Sequence, residues 1–398
     1  MKTSTDSSTP APTGETRQPA VLQIVPRLAT GGVERGTVEI SAALTAAGWR
    51  SVVASAGGKM VQEILRHGGT HVTLPLASKN PFVIRRNIGR LALIIERHDI
   101  DIVHARSRAP AWSAQGAAKR TGRHFITTFH NAYGGTSRFK RWYNSVMARG
   151  ERVIAISEFV AGHVAETYGV EEDRLRLIPR GVDLRRFDPD GISPERLARL
   201  ARMWNLPDDL PLIMLPGRLT RWKGQLDLVR AVASTGRTDF RCLFVGGDEG
   251  GGSYRRDLLK EIARTGLPGM FGFADDCDDM PAAMMLADVV VSASNRPEGF
   301  GRVIVEAQAM GRPVVATDHG GSSETILAGE TGWLVPPGDH AALGAAILEA
   351  LSLGTEARQA LAQRAIARVR ENFSRDLMCA RTLTVYGEVL FPEAPEEP

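Results

Sequence analysis

The sequence predicts an α/β protein of two doubly wound domains, each a parallel sheet with helices on both faces. Three observations predict it. Strand-like apolar runs alternate with helical stretches along most of the chain. The alternation halts once, in a charged, proline-containing passage from about residue 183 to 211, and then restarts. The chain has 398 residues, too many for one ordinary core and enough for two.

The first 19 residues are rich in Ser, Thr and Pro and contain no apolar run. They predict a disordered tail and neither a signal peptide nor an anchor. Strand-like runs follow at 21–26, 51–56, 71–76, 101–105, 125–129 and 152–156. Between the first two, Val33, Thr37, Ile40 and Leu44 recur at helix spacing. Strands that are apolar nearly throughout, joined by helices, belong to a parallel sheet covered on both sides. We place this first domain at residues 20–190. A second, at 205–373, has strand-like runs at 212–215, 242–245, 270–273, 288–292, 313–317 and 333–335. Three helical stretches, near 340–353, 356–372 and 374–390, close the chain with no strand between them. Ligands of such sheets bind beyond the carboxyl ends of the strands, so the cleft between the domains is the default site.

Composition excludes several classes. Hydrophobic residues make up 43% and charged residues 24%, as in globular proteins. No apolar run approaches the roughly 18 residues that span a bilayer. Cys242, Cys277 and Cys379 lack metal-ligand or disulfide spacing and fit a reducing, cytoplasmic compartment. A net charge of +4 is mild, and no nucleic-acid partner is expected. One local cluster stands out: Arg138, Lys140, Arg141, Arg149 and Arg152 surround Trp142, Tyr143 and Met147. Such a segment rests on an anionic membrane surface or meets an anionic acceptor, or it is a solvated face with its aromatics in the core.

Two segments carry most of the chemistry. Pro216-Gly217-Arg218 ends a strand, and Lys223 follows where the next helix starts. Cations at a helix N-terminus oppose its dipole, a penalty that a bound anion reverses. Arg offers a fork for phosphate oxygens and Lys a mobile point charge. In the second segment, Glu298-Gly299-Phe300-Gly301 is followed by Glu306, with seven residues between the two acids. Two helical turns rise about 10 Å, comparable to the span from a sugar ring across a diphosphate to a ribose. The glycines beside Phe300 imply close backbone approach to something.

Gly31-Gly32 closes the first strand and opens the first helix, either as a phosphate-facing turn or as a plain tight turn. It is not the dinucleotide fingerprint, which argues against a nicotinamide-dependent dehydrogenase. His104 and His130 end strands and are expected to face the cleft. Asp275, Asp276, Asp278 and Asp279 read as a loop and helix start rather than a metal site. No metal and no cofactor are expected.

These residues resemble the retaining glycosyltransferases of family 4, which have the GT-B fold of two Rossmann-like domains. The resemblance covers about residues 20–392. It rests on Gly31-Gly32, His130, Gly217-Arg218, Lys223-Gly224, Glu298 to Gly301 with Glu306, and Gly320-Gly321-Ser322-Ser323-Glu324. It looks most like bacterial enzymes that build lipopolysaccharide core or other envelope glycans. The resemblance implies that Arg218 and Lys223 hold a donor diphosphate, that Glu306 binds the ribose and that Glu298 binds the transferred sugar. It implies that the backbone of Gly299, Phe300 and Gly301 lines the sugar–phosphate region and that Gly217 belongs to the donor site. His130 would contact the sugar, and Gly32 would lie near the diphosphate or acceptor. The catalytic set is then Glu298, His130, Arg218 and Lys223, and the partners are a nucleotide sugar and a glycan or lipid-linked acceptor, with peripheral contact at the cytoplasmic face of the inner membrane. The last segment, 374–398, would cross back to the first domain. A non-catalytic scaffold and a nucleotide-sugar epimerase on the same fold are the alternatives. The chain departs from the family twice. Arg180-Gly181-Val182-Asp183 stands where relatives carry Asn-Gly-Val-Asp, and Arg302 stands where an apolar residue is common, either adding a phosphate contact or starting a solvated helix.

Overall fold

The structure, a computed structural model, describes residues 17–29, 31–134, 137–207, 209–248 and 251–392. The first lobe holds strands β1 (Ala20–Ile24), β2 (Arg50–Ser55), β3 (Thr70–Thr73), β4 (Ile102–Ala105), β5 (His124–Phe129), β6 (Arg152–Ala155) and β7 (Leu175–Leu177). They form one sheet in the order β3-β2-β1-β4-β5-β6-β7, every pair parallel. The second lobe holds β8 (Leu212–Pro216), β9 (Arg241–Val245), β10 (Phe271–Ala274), β11 (Val289–Ser292), β12 (Val314–Thr317) and β13 (Trp333–Val335). Their order is β10-β9-β8-β11-β12-β13, again all parallel. The two lobes repeat one Rossmann-like topology, with the order reversing beside β1 and beside β8.

The reason lies in the strands themselves. Every residue of β1, β8 and β11 is buried, as a sheet covered on both faces demands. The first helix, Gly32–Ala46, turns Thr37, Ile40 and Leu44 inward, which is the stripe expected from the sequence. β7 was not expected: it has three residues, none of them buried, and its middle residue is Arg176. The passage near 183–211 is not irregular throughout. It contains the helix Pro194–Met203, capped by Ser193, whose Arg196 donates to Asp279 at 2.6 Å.

The chain crosses between lobes twice at one place. Val182 N donates to Phe373 O and Arg375 N to Val182 O, each at 2.8 Å. A Cβ at Gly181 would lie 2.5 Å from Arg375 Cα, so only glycine fits under the returning segment. The last helix, Arg375–Leu390, packs on the first lobe. Tyr386 is fully buried there against Ile40, Leu44 and Ile154, and Glu388 pairs with Arg152 and Arg176.

Three expectations change. Arg152 is tied to Glu388 and so leaves the basic cluster around Trp142. Met147 in the same cluster is fully buried, whereas Phe139 and Trp142 are 71% and 54% exposed. Residues 1–16 of the expected tail lie outside the described residues. Arg17 is ordered, because the acids of the β4 entry hold it: it donates to Asp99 O at 2.8 Å and pairs with Asp101. Among the described residues, no helix is long and apolar enough to cross a membrane.

Candidate functional site

The carboxyl ends of β8 and β11 set the second lobe's half of the site. β8 runs into Gly217, whose φ of 146° suits glycine, and the chain then turns through Arg221–Lys223 into the helix Gln225–Ser234. A Cβ at Gly224 would lie 1.7 Å from the carbonyl of Ala293, just past β11. This fixes Lys223 close to the loop after β11. Its Nζ lies 2.7 Å from Glu298 Oε1, and it stacks over the Trp222 ring at 4.4 Å. The Ser294 hydroxyl donates to the same carboxylate oxygen, and His319 Nε2 donates to the Ser294 carbonyl at 2.6 Å. The cation and the acid expected to share a ligand are thus bonded to each other.

Gly301, at φ 83°, starts the helix Arg302–Ala309. Arg302 Nε donates to Glu306 Oε1 at 2.8 Å. Burial alone would lower the Arg302 pKa, but the charges of Glu306 and Glu39 hold it above its ordinary value. Arg302 is therefore the partner of Glu306 and not a solvated helix start. The glycines beside Phe300 also have an explanation inside the chain. A Cβ at Gly299 would lie 2.5 Å from the carbonyl of His130, and one at Gly301 would lie 2.9 Å from Ile304 Cδ1. Phe300 itself is buried edge-on against Phe373, so only its backbone is available to a ligand. At Gly299 the close approach is between the two lobes. Ser157 Oγ donates to Gly299 O at 2.6 Å, and Glu324 accepts from the amides of Glu158 and Phe159 at 2.8 and 2.7 Å. Glu324, in the second lobe, thereby caps the first lobe's helix Glu158–Tyr168.

The first lobe contributes Gly31, Gly32 and His130. Gly32 begins the first helix, and its carbonyl accepts from Arg180 Nη2. His130 follows β5, with Nε2 sealed from solvent and unpartnered. Burial holds this ring well below the ordinary histidine range, and Arg106, Arg180 and His104 push the same way, so it is neutral. His104 does not face the cleft. It is fully buried, with Nδ1 2.7 Å from the Tyr386 hydroxyl and Nε2 2.7 Å from Thr128 Oγ1. Glu34 joins the lobes electrostatically: burial raises its pKa, and Arg180 and Arg218 pull it back. Arg218 of the second lobe is thus close enough to act on a side chain of the first helix.

The acids near β10 have structural partners. Asp276 accepts from Gly247 N at 3.0 Å, and Asp279 caps the helix Met280–Leu286 and pairs with Arg196. Beside the site lies a hollow of about 500 Å³ lined by Gly31, Gly32, Lys59, Arg186 and Arg302, among others. A neighbouring hollow of about 760 Å³, between the first and last helices, shares Arg35, Glu63, Arg186 and Arg302 with it. Neither is lined by Lys223 or Glu298, so the direct contacts locate the candidate site better than the open volume does. Ser294, Arg180 and Arg106 were not singled out from sequence as site residues. The departure at position 180 was the one signal that pointed to Arg180.

A sequence profile described as Glycosyltransferase Family 4 matches residues 30–186, and one described as Glycosyl transferases group 1 matches residues 199–368. A D-inositol 3-phosphate glycosyltransferase of Salinispora arenicola is 30% identical over 403 residues, 94% of this chain and 88% of that protein. The chain belongs to the glycosyltransferases. The crystal structure of a glycosyltransferase from Rickettsia africae superposes with a TM-score of 0.88 at 39% identity, covering 95% of this chain and all of that one. Anabaena Alr3699/HepE, crystallised with UDP and glucose, gives a TM-score of 0.81 at 22% identity over 92% of this chain and 99% of that one, a likeness of fold. This glycosyltransferase has the GT-B architecture, two Rossmann-like domains facing one cleft.

Proposed function

We propose that this glycosyltransferase moves a hexosyl group from a nucleoside-diphosphate sugar to a hydroxyl of a glycan or lipid-linked acceptor, with retention of anomeric configuration. The observation that carries this reading is the Lys223–Glu298 pair at 2.7 Å, held by Ser294 at the strand ends where Arg218 also emerges. An incoming diphosphate competes with Glu298 for Lys223 and frees the carboxylate to accept from sugar hydroxyls. Arg302 leaves Glu306 a second oxygen for the ribose hydroxyls.

In the reaction, the acceptor oxygen bonds to the anomeric carbon on the face from which the diphosphate leaves. The departing phosphate oxygen takes the acceptor proton. Arg218 and Lys223 stabilise the charge that builds on the diphosphate, with no metal required. His130, being neutral, offers a ring nitrogen to a sugar hydroxyl. The meeting of Gly299 with His130 across the lobes keeps water from the reacting carbon. The UDP and glucose bound by the Anabaena protein and the inositol phosphate named for the Salinispora relative are in keeping with such substrates.

We place the acceptor in the cell envelope, with lipopolysaccharide core as one candidate, and the enzyme on the cytoplasmic face of an anionic membrane. Phe139 and Trp142 protrude beside Arg138, Lys140 and Arg141, and this apolar and cationic face supports the placement. Calorimetric titration with UDP, GDP and ADP, followed by transfer and hydrolysis assays with the corresponding sugar nucleotides, tests the function. Binding of at least one nucleotide is expected, and its loss in Lys223→Ala. A chain that binds none of the three is not a nucleotide-sugar enzyme of this kind. Interconversion of free sugar nucleotides without an acceptor would identify an epimerase instead.

A further inference from the structure

Arg302 starts the helix Arg302–Ala309, and its partner Glu306 lies one turn later. As a stabiliser of that helix the pair is poorly placed. A cation in the first turn opposes the helix dipole, and Arg before Glu is the weaker order at four-residue spacing. The two side chains are nonetheless drawn out of solvent, 26% and 13% exposed. The needs of the helix alone do not account for a cation here.

The guanidinium is held at both ends. Its Nε donates to Glu306 Oε1 at 2.8 Å. Its Nη1 reaches the other lobe and lies 4.0 Å from the side-chain position missing at Gly32. Gly32, Gly36 and Glu39 share one face of the helix Gly32–Ala46. The two glycines leave room on that face for guanidinium groups, and Glu39 adds a buried carboxylate. Burial acts to lower the Arg302 pKa, but the charges of Glu306 and Glu39 together keep it raised. Arg302 is therefore charged, pinned and shared between an acid of each lobe. Lys223 differs. In the function proposed above, its single ammonium trades Glu298 for the donor's diphosphate, whereas Arg302 has every reason to stay on Glu306.

We propose that Arg302 is a positioning residue for the donor: it fixes the Glu306 carboxylate so that the oxygen left over is presented to the ribose hydroxyls. This rests on the transferase reading above, in which Glu306 binds the ribose. The charge-assisted bond from Nε takes Oε1 and sets the direction of the carboxylate. An acceptor already oriented loses no rotamer freedom when the hydroxyls arrive. Arg302 itself touches neither ribose nor phosphate and acts through Glu306.

The test titrates the full chain calorimetrically with whichever of UDP, GDP or ADP it binds, and with the 2′,3′-dideoxy form of that nucleotide. The wild type should prefer the ribonucleotide by about tenfold or more. Arg302→Met keeps the stem and removes the guanidinium. Its preference should fall about tenfold, through weaker binding of the ribonucleotide alone, while the dideoxy form binds both proteins alike. Because Met leaves Glu39 and Glu306 without their shared cation and can prevent folding, Arg302→Gln is the companion. Its amide nitrogen stands where Nε stood, so it should keep the preference without the charge. Equal weakening of both ligands in Arg302→Met assigns the arginine to the diphosphate or to the fold and overturns the proposal. An unchanged preference in Arg302→Met overturns it as well, as does a preference lost in Arg302→Gln or absent from the wild type. A wild type that binds none of the three nucleotides fails the transferase reading itself, and the proposal falls with it. The first titration separates that case from the others.

Discussion

The two lobes share a topology and differ in how they hold charge. In the second lobe the cleft charges are paired: Lys223 with Glu298, and Arg302 with Glu306. In the first lobe Arg106 and Arg180 have no ion-pair partner among the described residues, and His104 and His130 are held neutral. Strand order explains neither arrangement, since both sheets reverse direction at the same relative point. The difference comes from the loops at the strand ends. Those after β8 and β11 bring opposite charges within 2.7 Å. Those after β4 and β7 bring two guanidinium groups together beneath the first helix. In the function proposed above, the paired lobe exchanges partners when its ligand arrives, and the unpaired lobe has no such exchange to make.

Breaking the paired side should have the largest effect. In the proposed reaction Lys223→Ala removes a cation aimed at the charge that develops on the diphosphate, and loss of one such donor typically costs about 10²–10³-fold in kcat. Ser294 still holds Glu298, so thermal unfolding should stay cooperative. Steady-state kinetics beside a melting curve checks both halves. Turnover within a few-fold of wild type would mean that the Lys223–Glu298 pair only joins two loops.

The unpaired side predicts a sign in acid. Burial first, and then the charge of Arg106, holds His104 well below the ordinary histidine value. The unfolded chain takes up its proton near pH 6.5 while the folded one does not. Below that pH the unfolded state binds more protons, so stability is complete above about 6.5 and falls as pH drops, by up to about 1.4 kcal/mol per unit for this one ring. His130 adds a loss of the same sign. Denaturant midpoints from pH 7.5 to 5 should fall accordingly. His104→Gln, which keeps hydrogen-bonding atoms for Tyr386 or Thr128, should be less stable at pH 7.5 but show a shallower fall. A slope identical to wild type would mean that His104 already titrates in the folded protein.

The alternation of strands and helices was legible in the sequence because fully buried parallel strands are written as local apolar runs. β7 was not, since a three-residue edge strand around Arg176 has no such run. Arg218, Lys223, Glu298 and Glu306 stood out because they are charges beside strand ends and glycine turns, and the structure brings Lys223 to Glu298. What residues they touch was hidden. Glycines on both sides of Phe300 signal a close approach, but nothing local to residue 299 says that the neighbour is the carbonyl of His130 rather than a ligand. The cleft-facing reading of His104 and the solvated-start reading of Arg302 failed for the same reason: their partners, Tyr386 and Glu306, are defined by a helix returning across the lobes and by the facing of one helical turn.

The smallest effect is expected where the two lobes touch. Glu324 closes the first turn of the helix Glu158–Tyr168 by accepting from two amides, and Arg368 donates to its carbonyl at 2.9 Å. Glu324→Ala removes the carboxylate and keeps the backbone contacts. Losing a helix cap costs about 0.5–2 kcal/mol. Ser157 partly compensates, because its hydroxyl lies 3.1 Å from Val160 N at the same helix start while also donating to Gly299 O. The cost should therefore sit at the low end, with kcat reduced only a few-fold. Urea unfolding with separate probes on each lobe gives the decisive reading. If the lobes unfold together in wild type and apart in the variant, Glu324 couples them. If the midpoint moves but the two probes still coincide, the cap contributes stability alone and the lobes are joined by the Gly299–His130 contact and the double crossing at Val182 and Ser374.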